Sequence, residues 1–451
     1  MPYIPRMKFA IQTFGCQMNV GDSQWIARSL RSRGWEEVPE VQADVILVNT
    51  CSVRDKPEQK VYSLLGRLAM IVRETGAFVA VGGCVAQQIG IGFWNRFPFV
   101  RLVFGSDGVA MVPQALERLM ASPGLRTSLL DFTDEYVERE QAFPDERVGP
   151  SAFVNIMQGC DNFCAYCIVP YVRGRQKSRS SGAVLAECES LLARGAREIT
   201  LLGQNVNSYG RDDGGDGTSF ARLLRRVAAL PGLARLRFKT SHPKDIAPEV
   251  VAAFGDLPNL CPALHLPLQS GSDALLARMG RKYDRARYLD IVRGLRAARP
   301  DLALTTDIIV GFPGETEEDF EATMSILEEV RFVNSFSFKY SDRPGVLAAR
   351  LTPKVDEGVK SERLARYQAR QEELTAEDLR TQVGRRTEVL VEEPSKRQGD
   401  GVASWRGHDP GGRVVDIPAS PGGSDLTGAL AAVRISSARK HSLRGEMEGS
   451  P

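Results

Sequence analysis

The stretch AFVNIMQGCDNFCAYCIVPYVRGR, residues 152–175, joins an apolar, β-branched run to three cysteines, Cys160, Cys164 and Cys167, in CxxxCxxC spacing. The run reads as a β-strand, with the cysteines on the loop at its C-terminal end. Outward from it the pattern recurs in EITLLGQ (198–204), RLRFKTS (235–241), ALHLPLQ (263–269), LTTDIIVGF (304–312) and NSFSFKY (334–340). Helix-like segments lie between these strands, for example 181–194, 285–299 and 315–330. The spacing, about 31 residues per unit, is that of a barrel in which about 250 residues carry eight units. Six units predict an incomplete (β/α)6 barrel, and loops at the C-terminal ends of barrel strands build active sites.

Three neighbouring thiolates can hold three irons of a four-iron cluster and leave the fourth open to a small ligand. A closed zinc site is the alternative. It needs four ligands, and no fourth Cys or His follows Cys167 within twenty residues.

Upstream, KFAIQTFG (8–15), DVILVNT (44–50) and AFVAVGG (77–83) each read as a strand followed by a helix, which predicts an open parallel α/β domain. Cys16, Cys51 and Cys84 each follow one of these runs at once. Strand C-termini of a parallel sheet share one edge, where ligands bind. Three cysteines far apart in sequence would therefore converge, and a second four-iron cluster is expected on them. Gly15, Gly82 and Gly83 would let the backbone come close to it.

Downstream, residues 356–383 read as one charged helix that bridges domains. TEVLVEE (387–393), GVASWRG (401–407), GRVVDI (412–417) and GALAAVRIS (428–436) are short strands of a small β-barrel, and GEMEGSP (445–451) is expected to fray. The expected division is an N-terminal domain at 6–122, a linker at 123–145, the central barrel at 146–378 and the small barrel at 381–446.

The 451 residues are 43% hydrophobic and 25% charged, with net charge +2, which excludes extensive disorder and a uniformly basic polyanion binder. No apolar run approaches the roughly 18 residues of a membrane helix, so no membrane association is expected. No export signal is visible, and eight cysteines in such a chain are not a disulfide framework.

CxxxCxΦC with an aromatic Φ, here Tyr166, resembles the radical S-adenosylmethionine superfamily. The resemblance implies that the open iron chelates the amino and carboxylate groups of S-adenosylmethionine, whose reductive cleavage releases a 5′-deoxyadenosyl radical. Tyr166 and other strand-end residues would line the cofactor pocket: Gln204 and Asn205, Ser241, Gln269 and Ser270, and Asp307. Loop structure or helix capping is the alternative role for each polar residue.

The combination of domains resembles the methylthiotransferase family along essentially the whole chain. FGCQMN (14–19), NTCSVRDKPEQKVYSLLGRL (49–68), LLGQNVNSYG (201–210), SHPKDI (241–246), LHLPLQSGSD (264–273) and IIVGFPGETEEDF (308–320) carry the likeness. It is greatest to the tRNA-2-methylthio-N6-dimethylallyladenosine synthase branch. That branch implies methylthiolation at the 2-position of a prenylated adenosine, at tRNA position 37 beside the anticodon. One S-adenosylmethionine would donate a methyl and a second would supply the radical, with sulfur presented at the auxiliary cluster. The implied partners are a prenylated tRNA anticodon stem-loop, a flavodoxin- or ferredoxin-type electron donor and a sulfur or iron–sulfur delivery protein. The implied setting is a cytoplasmic monomer. Methylthiolation of an aspartate on a ribosomal protein, and a cluster-bearing module without turnover, remain open as alternatives.

The last domain resembles TRAM, an RNA-binding β-barrel, in which Trp405 and Arg406 could combine stacking with charge. Arg173, Arg175, Lys177 and Arg179, directly after the cysteine motif, form an acid-free basic patch expected to hold RNA phosphates. Residues 278–299 carry eight basic and two acidic residues, a second candidate or a solvated helix face. No catalytic residue is expected beyond the cluster ligands.

Overall fold

The computed structural model describes residues 7–52, 57–139, 148–395, 404–419 and 424–448. Short strands, the central two buried on both faces, organise the N-terminal domain. β1 (Lys8–Thr13), β2 (Glu36–Glu37), β3 (Val45–Thr50), β4 (Phe78–Gly83), β5 (Val100–Phe104) and β6 (Thr127–Leu129) form a parallel sheet in the order β2-β1-β3-β4-β5-β6. They are connected by α1 (Gln17–Ser32), α2 (Pro57–Thr75), α3 (Cys84–Ile89), the single turn α4 (Phe93–Arg96) and α5 (Val112–Ala121). Successive strand side chains point to opposite faces. Phe9, Val45, Leu47 and Ala80 pack with α1 and α5, while Ile46, Val48, Val79 and Val81 pack with α2.

The segment read as a linker contributes β6, which pairs Leu102–Phe104 with Thr127–Leu129. A three-residue strand leaves no periodicity to read in a sequence. Residues 140–147 of that segment lie outside the described residues.

The central domain carries β7 (Ser151–Asn155), β8 (Met157–Gln158), β9 (Lys177–Ser178), β10 (Glu198–Leu202), β11 (Arg235–Lys239), β12 (Ala263–His265), β13 (Ala303–Val310) and β14 (Asn334–Lys339). Its helices are α6 (Val169–Arg173), α7 (Ser181–Ala193), α8 (Phe220–Ala228), α9 (Pro248–Asp256), α10 (Asp273–Arg278), α11 (Arg285–Ala298) and α12 (Glu317–Val330). Two three-stranded parallel sheets, β11-β10-β7 and β12-β13-β14, meet through a bridge between Leu236 and Leu260. The result is the expected open six-strand barrel. β8 and β9 form an antiparallel ribbon pairing Met157 with Ser178 and Gln158 with Lys177, so both ends of the cysteine loop are pinned.

α13 (Glu357–Thr381) crosses from β14 to the last domain as one helix, anchored where Gln371 donates to the Phe332 carbonyl at 2.8 Å. β15 (Arg386–Pro394), β16 (Ser404–His408), β17 (Val414–Pro418), β18 (Leu430–Ala438) and β19 (Leu443–Met447) then close a five-stranded barrel. β19 takes in Gly445–Met447, which were expected to fray; Glu448 also holds Arg386 at 2.8 Å. Residues 449–451, and residues 401–403 of the GVASWRG strand, lie outside the described residues. No helix of the described residues is long and apolar enough to cross a membrane.

The small barrel sits at the N-terminal end of the central strands, opposite the cysteine loop. Arg235 donates to the carbonyls of His408 (2.7 Å) and Glu388 (2.6 Å). Arg237 donates to those of Asp409 (2.9 Å) and Pro410 (3.0 Å), and to Glu198 at 2.8 Å. Such charge-assisted bonds contribute roughly 1.5–3 kcal/mol each. Replacing both arginines by Ala is expected to loosen this seat and make α13 cleavable in limited proteolysis. Unchanged cleavage would place the docking energy elsewhere, for example in the Arg413–Asp378 pair at 2.7 Å.

Candidate functional site

β1, β3 and β4 are neighbours in one parallel sheet, so their C-terminal ends deliver Cys16, Cys51 and Cys84 to one edge. The backbone conformation there is one only glycine adopts easily. Gly15 has φ of 116°, and a Cβ on it would lie 2.1 Å from Cys51 Cβ. Gly83 has φ of 88°, and a Cβ there would meet the Thr50 carbonyl at 2.2 Å. A side-chain hydrogen bond with Cys51 lowers the Cys16 pKa to about 5; burial opposes the shift and the Arg173 charge assists it.

In the second trio, the Asn162 amide donates to Cys160 Sγ at 3.4 Å, and Arg281 Nη1 lies 3.7 Å from Cys164 Sγ. Burial pushes the Cys160 thiol up to about 11 and the Cys167 thiol to about 12. These thiols must give up protons to bind iron, so loading is pH-dependent.

The two cysteine-bearing regions meet at Cys84. Cys84 packs in one apolar cluster with Ala165, Ile168 and Val172 of the second cysteine loop and α6. Arg173, the last residue of α6, reaches across: Nε lies 3.4 Å from Cys84 Sγ, and Nη2 donates to Asn19 Oδ1 at 2.8 Å and lies 3.9 Å from Asp22.

This placement corrects the basic patch. The Arg173, Lys177 and Arg179 side chains are 3%, 4% and 2% exposed and cannot touch RNA phosphates. Lys177 pairs with Asp107, and Arg179 with Glu138 at 2.7 Å and with Glu187. Buried cations need such partners, and most of these come from the N-terminal domain and the segment after it. Only Arg175 of the four is open, 73% exposed and 2.8 Å from Asp161. In the second patch three of the eight cations pair with carboxylates: Arg285 holds Glu329 at 3.0 Å, Arg299 holds Asp301 at 2.9 Å, and Arg293 pairs with Asp290. Trp405 packs on the small barrel's core, and Arg406 lies 3.1 Å from Asp416.

The strand-end residues divide into two groups. Gln204 Oε1, Asn205 Oδ1 and Ser241 Oγ are buried without a hydrogen-bond partner, as is Nε2 of His242. Burial, aided by the Arg281 charge, takes the His242 pKa down to about 2 and keeps the ring neutral. Orphaned polar atoms gathered beside a cysteine loop fit a polar ligand with hydroxyl and charged termini. Tyr166 accepts from Arg281 Nη1 at 3.4 Å. Gln269, at φ of 75°, instead gives its amide to the Asp307 carbonyl at 2.8 Å. Ser270 is engaged with Thr323 (3.4 Å) and the Ser272 amide (3.2 Å), a structural role. Asp307 holds His265 Nε2 at 3.3 Å. Arg281 was missed as a site residue because in sequence it is one cation of a basic run; only the fold shows it buried at Cys164.

Residues 154–327 match the Radical SAM superfamily, residues 8–105 the uncharacterized protein family UPF0004 and residues 380–447 the TRAM domain. The chain is 63% identical over 444 residues to the tRNA-2-methylthio-N(6)-dimethylallyladenosine synthase of Nitratidesulfovibrio vulgaris, covering 98% of this chain and 99% of that protein. It is 50% identical over 449 residues to the protein of the same name from Lawsonia intracellularis, covering 97% and 98%. Among solved structures it resembles the radical S-adenosylmethionine methyltransferase TsrM of Kitasatospora setae. The TM-score is 0.56 at 14% identity, over 77% of this chain and 74% of that one, a likeness of fold.

Proposed function

This chain belongs to the tRNA-2-methylthio-N(6)-dimethylallyladenosine synthase family of radical S-adenosylmethionine enzymes, and on that premise we propose that it methylthiolates the 2-position of N6-dimethylallyladenosine at tRNA position 37. The observation that carries this reading is the contact between the two cysteine-bearing regions, made through Cys84 and Arg173. Cys160, Cys164 and Cys167 would hold one [4Fe-4S] cluster, and Cys16, Cys51 and Cys84 a second. When bound, these would supply reductive cleavage of S-adenosylmethionine and a sulfur donor, with one S-adenosylmethionine for the radical and another for the methyl.

The residues around them have separable tasks. Gln204, Asn205 and Ser241, with unmet hydrogen-bonding capacity, would orient S-adenosylmethionine. Asn205 Nδ2 is held by Asp245 at 2.7 Å; although burial opposes it, hydrogen bonds from Lys244 and Asn205 keep Asp245 below the usual carboxylate range. A neutral His242 keeps a second cation away from Arg281. The apolar packing of Ala165, Ile168 and Met279 excludes water from the region between the trios. The TRAM barrel would hold the RNA stem, and an electron donor and a sulfur or cluster delivery protein would serve the enzyme in the cytoplasm.

Anaerobic incubation of the reconstituted protein with anticodon stem-loops tests the reading. Prenylated RNA is expected to gain the 2-methylthio group, seen by mass spectrometry of nucleosides, and unprenylated RNA is not. Formation of 5′-deoxyadenosine with no methylthiolated RNA, or modification of a ribosomal-protein aspartate instead, would overturn it.

A further inference from the structure

Five aromatic rings stand among the exposed large apolar side chains of the described residues, and three of them rim the second cysteine loop. Phe163 lies between Cys160 and Cys164 and is 49% exposed; Tyr171 on α6 is 50% exposed. Phe132 packs against the turn after α6, its ring 3.1 Å from where a Cβ on Gly174 would stand. The Phe163 and Tyr171 centroids are 6.1 Å apart at an interplanar angle of 79°. The Arg175 guanidinium lies 5.4 Å from the Phe163 ring centroid, in cation–π range.

The backbone that carries these rings is held in place. The Tyr171 amide donates to the Ile168 carbonyl at 3.0 Å, and the Cys160 amide to that of Gly174 at 3.2 Å. Asp161 accepts from the Gln176 amide at 3.1 Å. The loop thus presents two exposed aromatic rings beside the cysteines, with one exposed cation, Arg175, that pairs with Asp161 at 2.8 Å. Such a surface suits a ligand that is planar, π-faced and joined to phosphate. Unpaired RNA bases have that chemistry, and stacking on aromatic side chains is how proteins take hold of them. The neighbouring cations are already neutralised by Asp107, Glu138 and Glu187. Charge alone would therefore hold RNA weakly here, and the rings would supply the grip.

We infer that Phe163, Tyr171 and Arg175 form a platform on which an unpaired base next to the target adenosine stacks, placing that adenosine over the cysteine loop. This rests on the RNA-modifying reading above.

The test uses the full, cluster-reconstituted chain and an anticodon stem-loop carrying 2-aminopurine beside the target adenosine. Phe163→Leu and Tyr171→Leu keep apolar bulk but remove the π face. Each is expected to weaken binding about 5- to 150-fold and to restore 2-aminopurine fluorescence quenched by the wild type. Because stacking carries no charge, the slope of log affinity against log salt should stay the same. Arg175→Ala should instead reduce that slope by about one unit. Phe163→Tyr and Tyr171→Phe should bind and quench like the wild type. Iron content, measured on every variant, is expected to stay at the wild-type level. Leucine variants that bind and quench like the wild type would overturn the platform, as would leucine variants that weaken binding only in step with lost iron. A wild-type protein that binds the stem-loop and methylthiolates it without quenching would also sink the platform while the functional reading stood. A wild-type protein that neither binds nor modifies the RNA would sink both.

Discussion

Cys51→Ala is expected to leave S-adenosylmethionine cleavage running and to abolish the methylthiolated product. Cys51 is buried, in contact with Cys16, and stands at the end of a strand remote in sequence from the radical-forming loop. The change from Cys to Ala removes one sulfur from a site that Gly15 already crowds, so the sheet should survive. Iron should fall from about eight per chain to about four, the content of the second cluster alone. Cys164→Ala should do the reverse to the radical step: 5′-deoxyadenosine drops to background, because Arg281 cannot replace a thiolate ligand. Methylthiolated product is expected to fall to background in both variants, and the 5′-deoxyadenosine assay separates the two trios. Retained methylthiolation in Cys51→Ala would remove the first trio from the mechanism. Loss of 5′-deoxyadenosine in that variant would show that the two sites are not separable.

The strand-end positions of both trios were legible in the sequence for different reasons. Cys160, Cys164 and Cys167 are close in the chain and need only a loop. Cys16, Cys51 and Cys84 could be joined only by reading three strands as neighbours in one parallel sheet, which β1, β3 and β4 are. Spacing alone would have missed them. The charges were far less legible. Arg173, Lys177 and Arg179 read as an RNA-binding run because no acid stands among them. Their partners Asn19, Asp107 and Glu138 are 154, 70 and 41 residues away. A sequence shows where cations are, but whether water or a carboxylate satisfies them depends on chain crossings that only the fold reveals. β19 was missed for a similar reason: a Gly- and Glu-containing end has weak strand propensity, and closure of the barrel overrides it.

Arg173 follows from that lesson and yields the other large effect. Its side chain is 3% exposed. Burial disfavours its charge, but Cys84, Cys16 and Asp22 more than offset this and hold the guanidinium protonated. Arg173→Met would leave Asn19 Oδ1 without its 2.8 Å donor and Cys84 without its nearest cation. Removing one partner from a buried charged network costs about 3–5 kcal/mol. Asp22 keeps Arg139 at 2.8 Å, so the lower end of that range is expected. The loss should concentrate where α3 meets α6, because Arg173 ends α6 and Cys84 begins α3. Hydrogen exchange of those two helices should accelerate by roughly 100-fold, the equivalent of about 3 kcal/mol, while the small barrel exchanges as before. Arg173→Lys keeps the charge but not the planar fork that serves Cys84 and Asn19 together, so it should fall between the two. If α3 and α6 in Arg173→Met exchange at wild-type rates, the guanidinium does not join the two domains, and the apolar contact of Cys84 with Ala165 and Ile168 holds them alone.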